Sequence, residues 1–227
     1  MDLIPQQENG CSSVISIFAP MRIAINTRFL LQSKMEGFGW FTFETVKRMV
    51  ENHPEDEFIF FFDRTYDEKF IFGPNVTPVV LSPQARHPIL FKWWFNGSVT
   101  KALKKYKPDV FFSPDGYLSL KTHYPQVGVI HDLNFEHYPE DLPKSASNYL
   151  RKYFPRFAKK ADRIITVSNY SKQDIIEQYE VEENKITVAH NGGSDSFRIL
   201  TEDEKIEVRK GFSQGEEYFV FVGSLNP

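Results

Sequence analysis

Val127-Gly128-Val129-Ile130-His131-Asp132-Leu133 is an apolar run, β-branched at three of its first four positions, that stops at a histidine and an aspartate. A short apolar run ended by polar residues reads as a strand buried on both faces, as in a parallel sheet. Ligands of such sheets bind beyond the carboxyl ends of the strands, so a titratable pair there stands where chemistry happens. The same pair would serve equally well as a plain turn cap. Its surroundings decide between the two.

Downstream, residues 163–167 (RIITV) form a strand that ends in Ser168-Asn169. Either residue is a natural N-cap for the helix pattern at 171–179. Residues 186–189 form a further strand ending in His190-Asn191-Gly192-Gly193. A helix over 201–210 opens with Thr201-Glu202-Asp203-Glu204, the signature of a capping box. Residues 218–222 (YFVFV) read as a last, fully apolar strand.

Upstream, strands are expected at 22–27, 57–63, 76–81 (shortened by Pro78) and 109–113, the last ended by Pro114-Asp115-Gly116. Between the first two strands, Gly37-Phe38-Gly39 reads as a loop ahead of a helix with apolar positions 43, 46, 49 and 50. Glycines before a helix let the backbone approach a phosphate at the helix N-terminus, or merely supply a turn. No third glycine completes a dinucleotide fingerprint. Further helices are expected at 89–106 and, strongly basic, at 149–160.

Strands alternating with helices predict an α/β fold, a Rossmann-like, doubly wound, mostly parallel sheet. The polar tips after the first, fourth, fifth, sixth and seventh strands then share one rim and form a single cleft.

Composition narrows the function classes. The chain has 227 residues, 41% hydrophobic and 25% charged, as an ordinary globular protein does. With 27 basic against 30 acidic residues, it lacks the excess positive charge of a general nucleic-acid binder. One cysteine, Cys11, excludes an internal disulfide framework. No run approaches the roughly 20 apolar residues of a membrane span. Residues 1–20 lack Lys and Arg and read as an extension, a candidate for disorder, with the fold starting at Met21. Between Gln84 and Lys107 there is no acidic residue, and Phe91, Trp93, Trp94 and Phe95 sit among the bases. Such a stretch suits an anionic membrane surface. It equally suits an amphipathic helix with core aromatics and solvated lysines, which the clustering of the aromatics at one end favours.

Five ordered segments resemble glycosyltransferase family 4, the group 1 glycosyltransferases of the GT-B fold. They are Gly37-Phe38-Gly39, Ile130-His131-Asp132, the V-S-x-x-S-K-x-[DE]-[IL] pattern at residues 167–175, Asn191-Gly192 through Phe197, and the Y-x-x-x-V-G-S-L-x-P pattern at residues 218–227. Together they cover residues 21–227, and the pattern is most similar to bacterial mannosyltransferases of surface-polysaccharide pathways. The resemblance implies the N-terminal half of a retaining hexosyltransferase. Its co-substrate would be a nucleotide-sugar, GDP-mannose or a UDP-sugar, and its acceptor a saccharide or a lipid-linked saccharide. It implies no cofactor, no required metal and no nucleic-acid partner. The setting would be cytoplasmic, with peripheral contact at the inner face of the membrane.

Carried over residue by residue, Gly37, Phe38 and Gly39 would meet the donor diphosphate. His131 would contact the donor sugar, and Asp132 would orient it or the acceptor. Asp115, Ser168, Asn169, Ser171 and Asn191 would line the acceptor side of the cleft. Trp40 departs from the family, which commonly has a polar residue there; Gly193-Ser194 replaces a usual Val-Asp. The implied domains are residues 21–200, an acceptor-side Rossmann-like domain, and residues 201–227, a linker and the first strand of a truncated donor-binding domain. Such a half is expected to be inactive alone. A non-catalytic saccharide-binding module of the same fold is the alternative. A nicotinamide oxidoreductase is disfavoured by the missing third glycine.

Overall fold

Glu57–Phe62, Glu-Phe-Ile-Phe-Phe-Phe, shows how the sequence builds the sheet. Phe58, Phe60 and Phe62 enter one core and Ile59 and Phe61 the other. A strand whose alternate side chains are both buried must lie inside a sheet covered on two faces. The computed structural model describes residues 19–32, 35–193 and 197–221. The expected extension lies outside them up to residue 18, as do Ser194-Asp195 and residues 222–227 of the last motif.

Seven strands form one sheet in the order β3-β2-β1-β4-β5-β6-β7. They are β1 (Arg22–Asn26), β2 (Glu57–Phe62), β3 (Val76–Val80), β4 (Val110–Ser113), β5 (Gln126–Val129), β6 (Arg163–Thr166) and β7 (Ile186–Val188). Every pairing is parallel. The order runs outward from β1 in both directions, so the topological switch point lies between β1 and β4.

One face is covered by α1 (Gly37–Asn52), which buries Val46 and Val50. The other carries α2 (Pro88–Trp93), α3 (Thr100–Tyr106), α5 (Lys144–Lys160) and α6 (Asn169–Tyr179). These bury Leu103, Phe154, Phe157 and Ile175 against Ala24, Phe61 and Phe111. The remaining α-helices among the described residues are the single turn α4 (Asn134–His137) and α7 (Glu202–Ser213). No helix among the described residues is long and apolar enough to cross a membrane.

Four expectations are corrected. Gly37-Phe38-Gly39 is not a loop but the first turn of α1. Neither glycine has positive φ; Gly39 is required by packing, since a Cβ there would stand 2.8 Å from the Phe29 carbonyl oxygen. The helix expected at 89–106 is two α-helices joined by a π-turn, Trp94–Val99, and Thr100 Oγ1 at the start of α3 donates to the Phe95 carbonyl within that turn at 3.1 Å. Trp94 and Phe95 are core, whereas Trp93 is 66% exposed. Helix α5 begins at Lys144, five residues ahead of the expected start. Residues 218–221 pair with no strand, and Tyr218, Phe219, Val220 and Phe221 are exposed. An apolar strand is held by its neighbours, and among the described residues this one has none.

Candidate functional site

Strands β1, β4 and β5 deliver their carboxyl ends to the switch point, and the polar residues there are cross-linked. Asn26, the last residue of β1, donates through Nδ2 to Ser113 Oγ at 3.0 Å and to Asp115 Oδ1 at 2.9 Å. Ser113 Oγ donates to the same carboxylate oxygen at 2.9 Å. Arg28 Nε donates to Asp115 Oδ2 at 2.7 Å, with both side chains all but buried. The guanidinium also lies 4.5 Å from the Tyr117 ring centre, 4.6 Å from Phe29 and 4.8 Å from Phe91. Burial alone would lower the pKa of Arg28; the neighbouring Asp115 charge and hydrogen bond more than offset it and hold the pKa above its usual value. Burial pushes the Tyr117 phenol up.

This knot fixes the turn Ser113-Pro114-Asp115-Gly116, closed by Gly116 N–H on the Ser113 carbonyl. Gly116 has φ +77°, and a Cβ there would meet the Val129 carbonyl oxygen at 2.8 Å, so only glycine fits. The turn in turn presents the Pro114 carbonyl to His131, whose Nε2 lies 2.9 Å away. A carbonyl only accepts, so Nε2 carries the proton. The rings of Phe38 and Phe41 stand edge-on to the imidazole at 4.9 and 4.6 Å. Asp132 is exposed and accepts from Asn134 N–H through Oδ1 at 2.9 Å, opening α4.

A cleft of about 140 Å³ lies over these groups. Phe38, Asp115, His131 and Asp132 line it together, closed in by Phe29, Phe135 and Phe154. The N-terminus of α1 adjoins it through Phe38. Glu36 precedes that helix and makes no side-chain cap, and the first helical N–H groups have no partner within a helix. Gly37, Phe38 and Gly39 are those first residues, a geometry suited to an anion.

The other expected residues lie on the same rim but away from this cleft. Ser168 caps α6, accepting from Ser171 N–H at 3.0 Å, and its hydroxyl donates to Ser171 Oγ at 2.9 Å. Asn169 is the exposed first residue of that helix, and Asn191 is exposed beyond β7. None of the four lines the cleft.

Sequence reasoning passed over Asn26, Arg28 and Ser113. It also passed over His137, which faces both carboxylate oxygens of Asp174 at 2.9 Å and so ties α4 to α6. Beside them Tyr179 donates to Glu136 at 3.0 Å. The signal for the first group was a polar Asn-Thr-Arg at a strand's end; for the second, the aspartate of the V-S-x-x-S-K-x-D segment.

A sequence model described as Glycosyltransferase Family 4 matches residues 37–195. Over 204 residues the chain is 22% identical to O-antigen chain mannosyltransferase B of Escherichia coli, a match covering 85% of this chain and 53% of that protein. Over 146 residues it is 27% identical to a Finegoldia magna enzyme, UDP-N-acetylglucosamine–N-acetylmuramyl-(pentapeptide) pyrophosphoryl-undecaprenol N-acetylglucosamine transferase. That match covers 56% of this chain and 40% of the relative. The fold is similar to a solved glycosyltransferase from Rickettsia africae, with TM-score 0.51 and 16% identity over 88% of this chain and 51% of that one. It is also similar to Anabaena HepE, solved in complex with UDP and glucose, with TM-score 0.52 and 15% identity over 85% and 50%. The chain spans about half the length of the curated relatives it matches.

Proposed function

The chain belongs to glycosyltransferase family 4, and from that premise we propose that it forms the acceptor-side half of a retaining hexosyltransferase. The donor would be a nucleotide-sugar, and the acceptor a saccharide or lipid-linked saccharide of a cell-surface polysaccharide. Mannose is the favoured sugar, because one relative is an O-antigen chain mannosyltransferase. The proposed setting is the cytoplasm, at the inner face of the membrane, where a lipid-linked acceptor would be met.

The observation that carries the reading is the meeting of three elements at the switch point: the N-terminus of α1, the tethered His131, and Asp132. Transfer from a nucleotide-sugar puts growing negative charge on the leaving diphosphate. Backbone amides held in place by a helix stabilise that charge without reorganising, which is the largest single term in many enzymes. No metal is invoked for it. His131 has its Nε2–H committed to Pro114, so its Nδ1 edge is the one left to meet a sugar hydroxyl. A hydrolase would need two working carboxyl groups. Both oxygens of Asp115 already accept hydrogen bonds from Asn26, Ser113 and Arg28, which leaves Asp132 as the working carboxylate of the cleft.

The test is transfer by the protein at its full natural length, offered GDP- and UDP-sugars with a saccharide acceptor, beside His131→Ala. Transfer from one donor with retention at the anomeric carbon, reduced by about a hundredfold or more in the variant, is expected. A folded protein that binds glycans but neither transfers nor hydrolyses any donor would sink the transferase and leave a saccharide-binding module.

A further inference from the structure

Helix α4 (Asn134–His137) is a single turn of four residues, and only Leu133 separates it from Asp132. Isolated helices shorter than about 12–15 residues are marginal in water, so one turn does not hold itself. Its backbone bonds are few: Glu136 N–H donates to the Leu133 carbonyl and Tyr138 N–H to the Asn134 carbonyl, each at 2.8 Å. Yet this turn carries two groups of the cleft. Asn134 N–H fixes Asp132 through Oδ1 at 2.9 Å. Phe135 lines the cleft, its ring centre 5.1 Å from that of Phe154. Whatever holds α4 therefore sets the place of both.

The side chains of two consecutive residues hold it. His137 Nε2 lies 2.9 Å from each oxygen of Asp174. A carboxylate only accepts, so Nε2 carries the proton and donates to α6. Glu136 Oε1 accepts from the Tyr179 hydroxyl, also on α6, at 3.0 Å, and its Oε2 accepts from Arg151 Nε of α5 at 3.1 Å. Burial first, and the Glu136 charge after it, push the Tyr179 phenol up, so Tyr179 stays a donor. Asp174 and Tyr179 are buried, and hydrogen bonds to a charged partner in such places are the strong ones. The Arg151 side chain is half exposed, which makes its pair the weakest tie.

None of Glu136, His137, Asp174 and Tyr179 lines the cleft. Their bonds join the turn beyond β5 to two helices packed on the core, where a connecting segment is ordinarily mobile.

We propose that His137 with Asp174, supported by Glu136 with Tyr179, is a positioning clamp. It locks α4 onto α6 and so fixes where the Asp132 carboxylate and the Phe135 ring stand in the cleft. The aspartate of the V-S-x-x-S-K-x-D segment then acts on the site from behind, through α4, and not as a ligand. What Asp132 does in the cleft rests on the transferase reading; the clamp itself does not.

The experiment is amide hydrogen exchange of the chain, read by NMR, in the parent, His137→Ala and His137→Gln. The His137 side chain is 38% exposed, so neither variant opens the core. Glutamine offers an N–H at about the reach of Nε2 and serves as the rescue. In His137→Ala, exchange at Asn134, Glu136 and Tyr138 should quicken by at least about tenfold, the loss of a charge-assisted hydrogen bond. Glutamine should restore it. Ile130 N–H, bonded to the Ile165 carbonyl at 2.9 Å within the sheet, should exchange as in the parent throughout. In the protein at its full natural length, kcat should fall by about tenfold or more in His137→Ala, with KM changed less, and return in His137→Gln. Unchanged exchange at the three amides would overturn the proposal. Equal quickening at Ile130 would do so too, since the whole sheet would then be loosened. So would an unaltered kcat in a protein that transfers sugar while its α4 amides exchange fast, because the clamp would then only stabilise the fold. A parent that transfers nothing would remove the transferase reading, and the exchange rates alone would decide the clamp.

Discussion

Arg28 and Asp115 show how much of the site rests on side chains committed to one another. Their ion pair is buried and surrounded by aromatic rings. Removing one partner leaves the other charged and dry, which costs far more than the pair itself contributes. Asp115→Ala is therefore expected to lower stability by about 3–5 kcal/mol in urea unfolding. A loss below 1 kcal/mol would show that water reaches Arg28. The two glycines of α1 make a sharper contrast. A Cβ at Gly39 meets the Phe29 carbonyl at 2.8 Å and Met35 Cβ at 3.2 Å, whereas nothing lies within 4 Å of one at Gly37. Gly39→Ala should cost about 1–3 kcal/mol by overpacking, and Gly37→Ala should stay within about 0.5 kcal/mol of the parent. Equal effects would contradict the packing account. At this scale the sequence was least legible. Arg28 and its partner are 87 residues apart, and no local pattern announces such a pairing. His131 and Asp132 could be picked out because the end of an apolar run marks a strand's tip.

Elements were legible where periodicity was strong. The strands from β1 to β7 follow from apolar runs bounded by turn residues, since the parallel sheet buries both faces of each. Boundaries failed where a residue's usual habit misleads. Glycine is a poor helix former, so Gly37-Phe38-Gly39 reads as loop, yet the first turn of a helix tolerates it and the close approach at Gly39 demands it. The V-S-x-x-S segment is in part a helix start. Ser168 caps α6, and Ser168→Ala should cost about 1 kcal/mol; an unchanged stability would mean water replaces the cap without loss. Helix α7 supplies a pH test. Its capping box joins Thr201 and Glu204, and Arg198 reaches the same carboxylate. The Arg198 hydrogen bond first, and the Thr201 backbone N–H after it, hold the Glu204 pKa down to about 2 from 4.5. A depressed carboxyl stabilises its helix at pH above the unfolded value and loses that support as pH falls from about 4.5 towards 2. Carboxyl-carbon NMR titration of Glu204 should show this low midpoint, and a midpoint near 4.5 would mean the box is open in solution.

The whole molecule is a sheet whose order reverses between β1 and β4, and the site sits where that order puts it. This was foreseeable from alternating strands and helices, because handedness and adjacency leave few topologies. The aromatic packing was not, because 22 Phe and 10 Tyr in a sequence say nothing of which rings meet. Three tyrosines of that packing give a test of the molecule as a unit. Tyr149 of α5 and Tyr179 of α6 are buried, and Tyr117 packs half-buried against the same core. Burial first, and neighbouring carboxylates or phenols second, push the phenols of Tyr149 and Tyr179 up; burial does the same for Tyr117 against the opposing pull of Arg28. In the unfolded chain a phenol ionises near pH 10. Below that value the raised groups are protonated in both states and their contribution is complete. As pH rises past 10 the unfolded state sheds these protons and the folded state keeps them, so stability falls. Phenolate absorbance should therefore rise for these three only together with the loss of the far-ultraviolet circular dichroism. Tyr149→Phe, which keeps the ring and removes one linked proton, should flatten the alkaline loss. Ionisation of all ten tyrosines with the circular dichroism intact would show that the layer over the cleft opens to hydroxide while the sheet holds, and that helices α5 and α6 are not one cooperative unit with it.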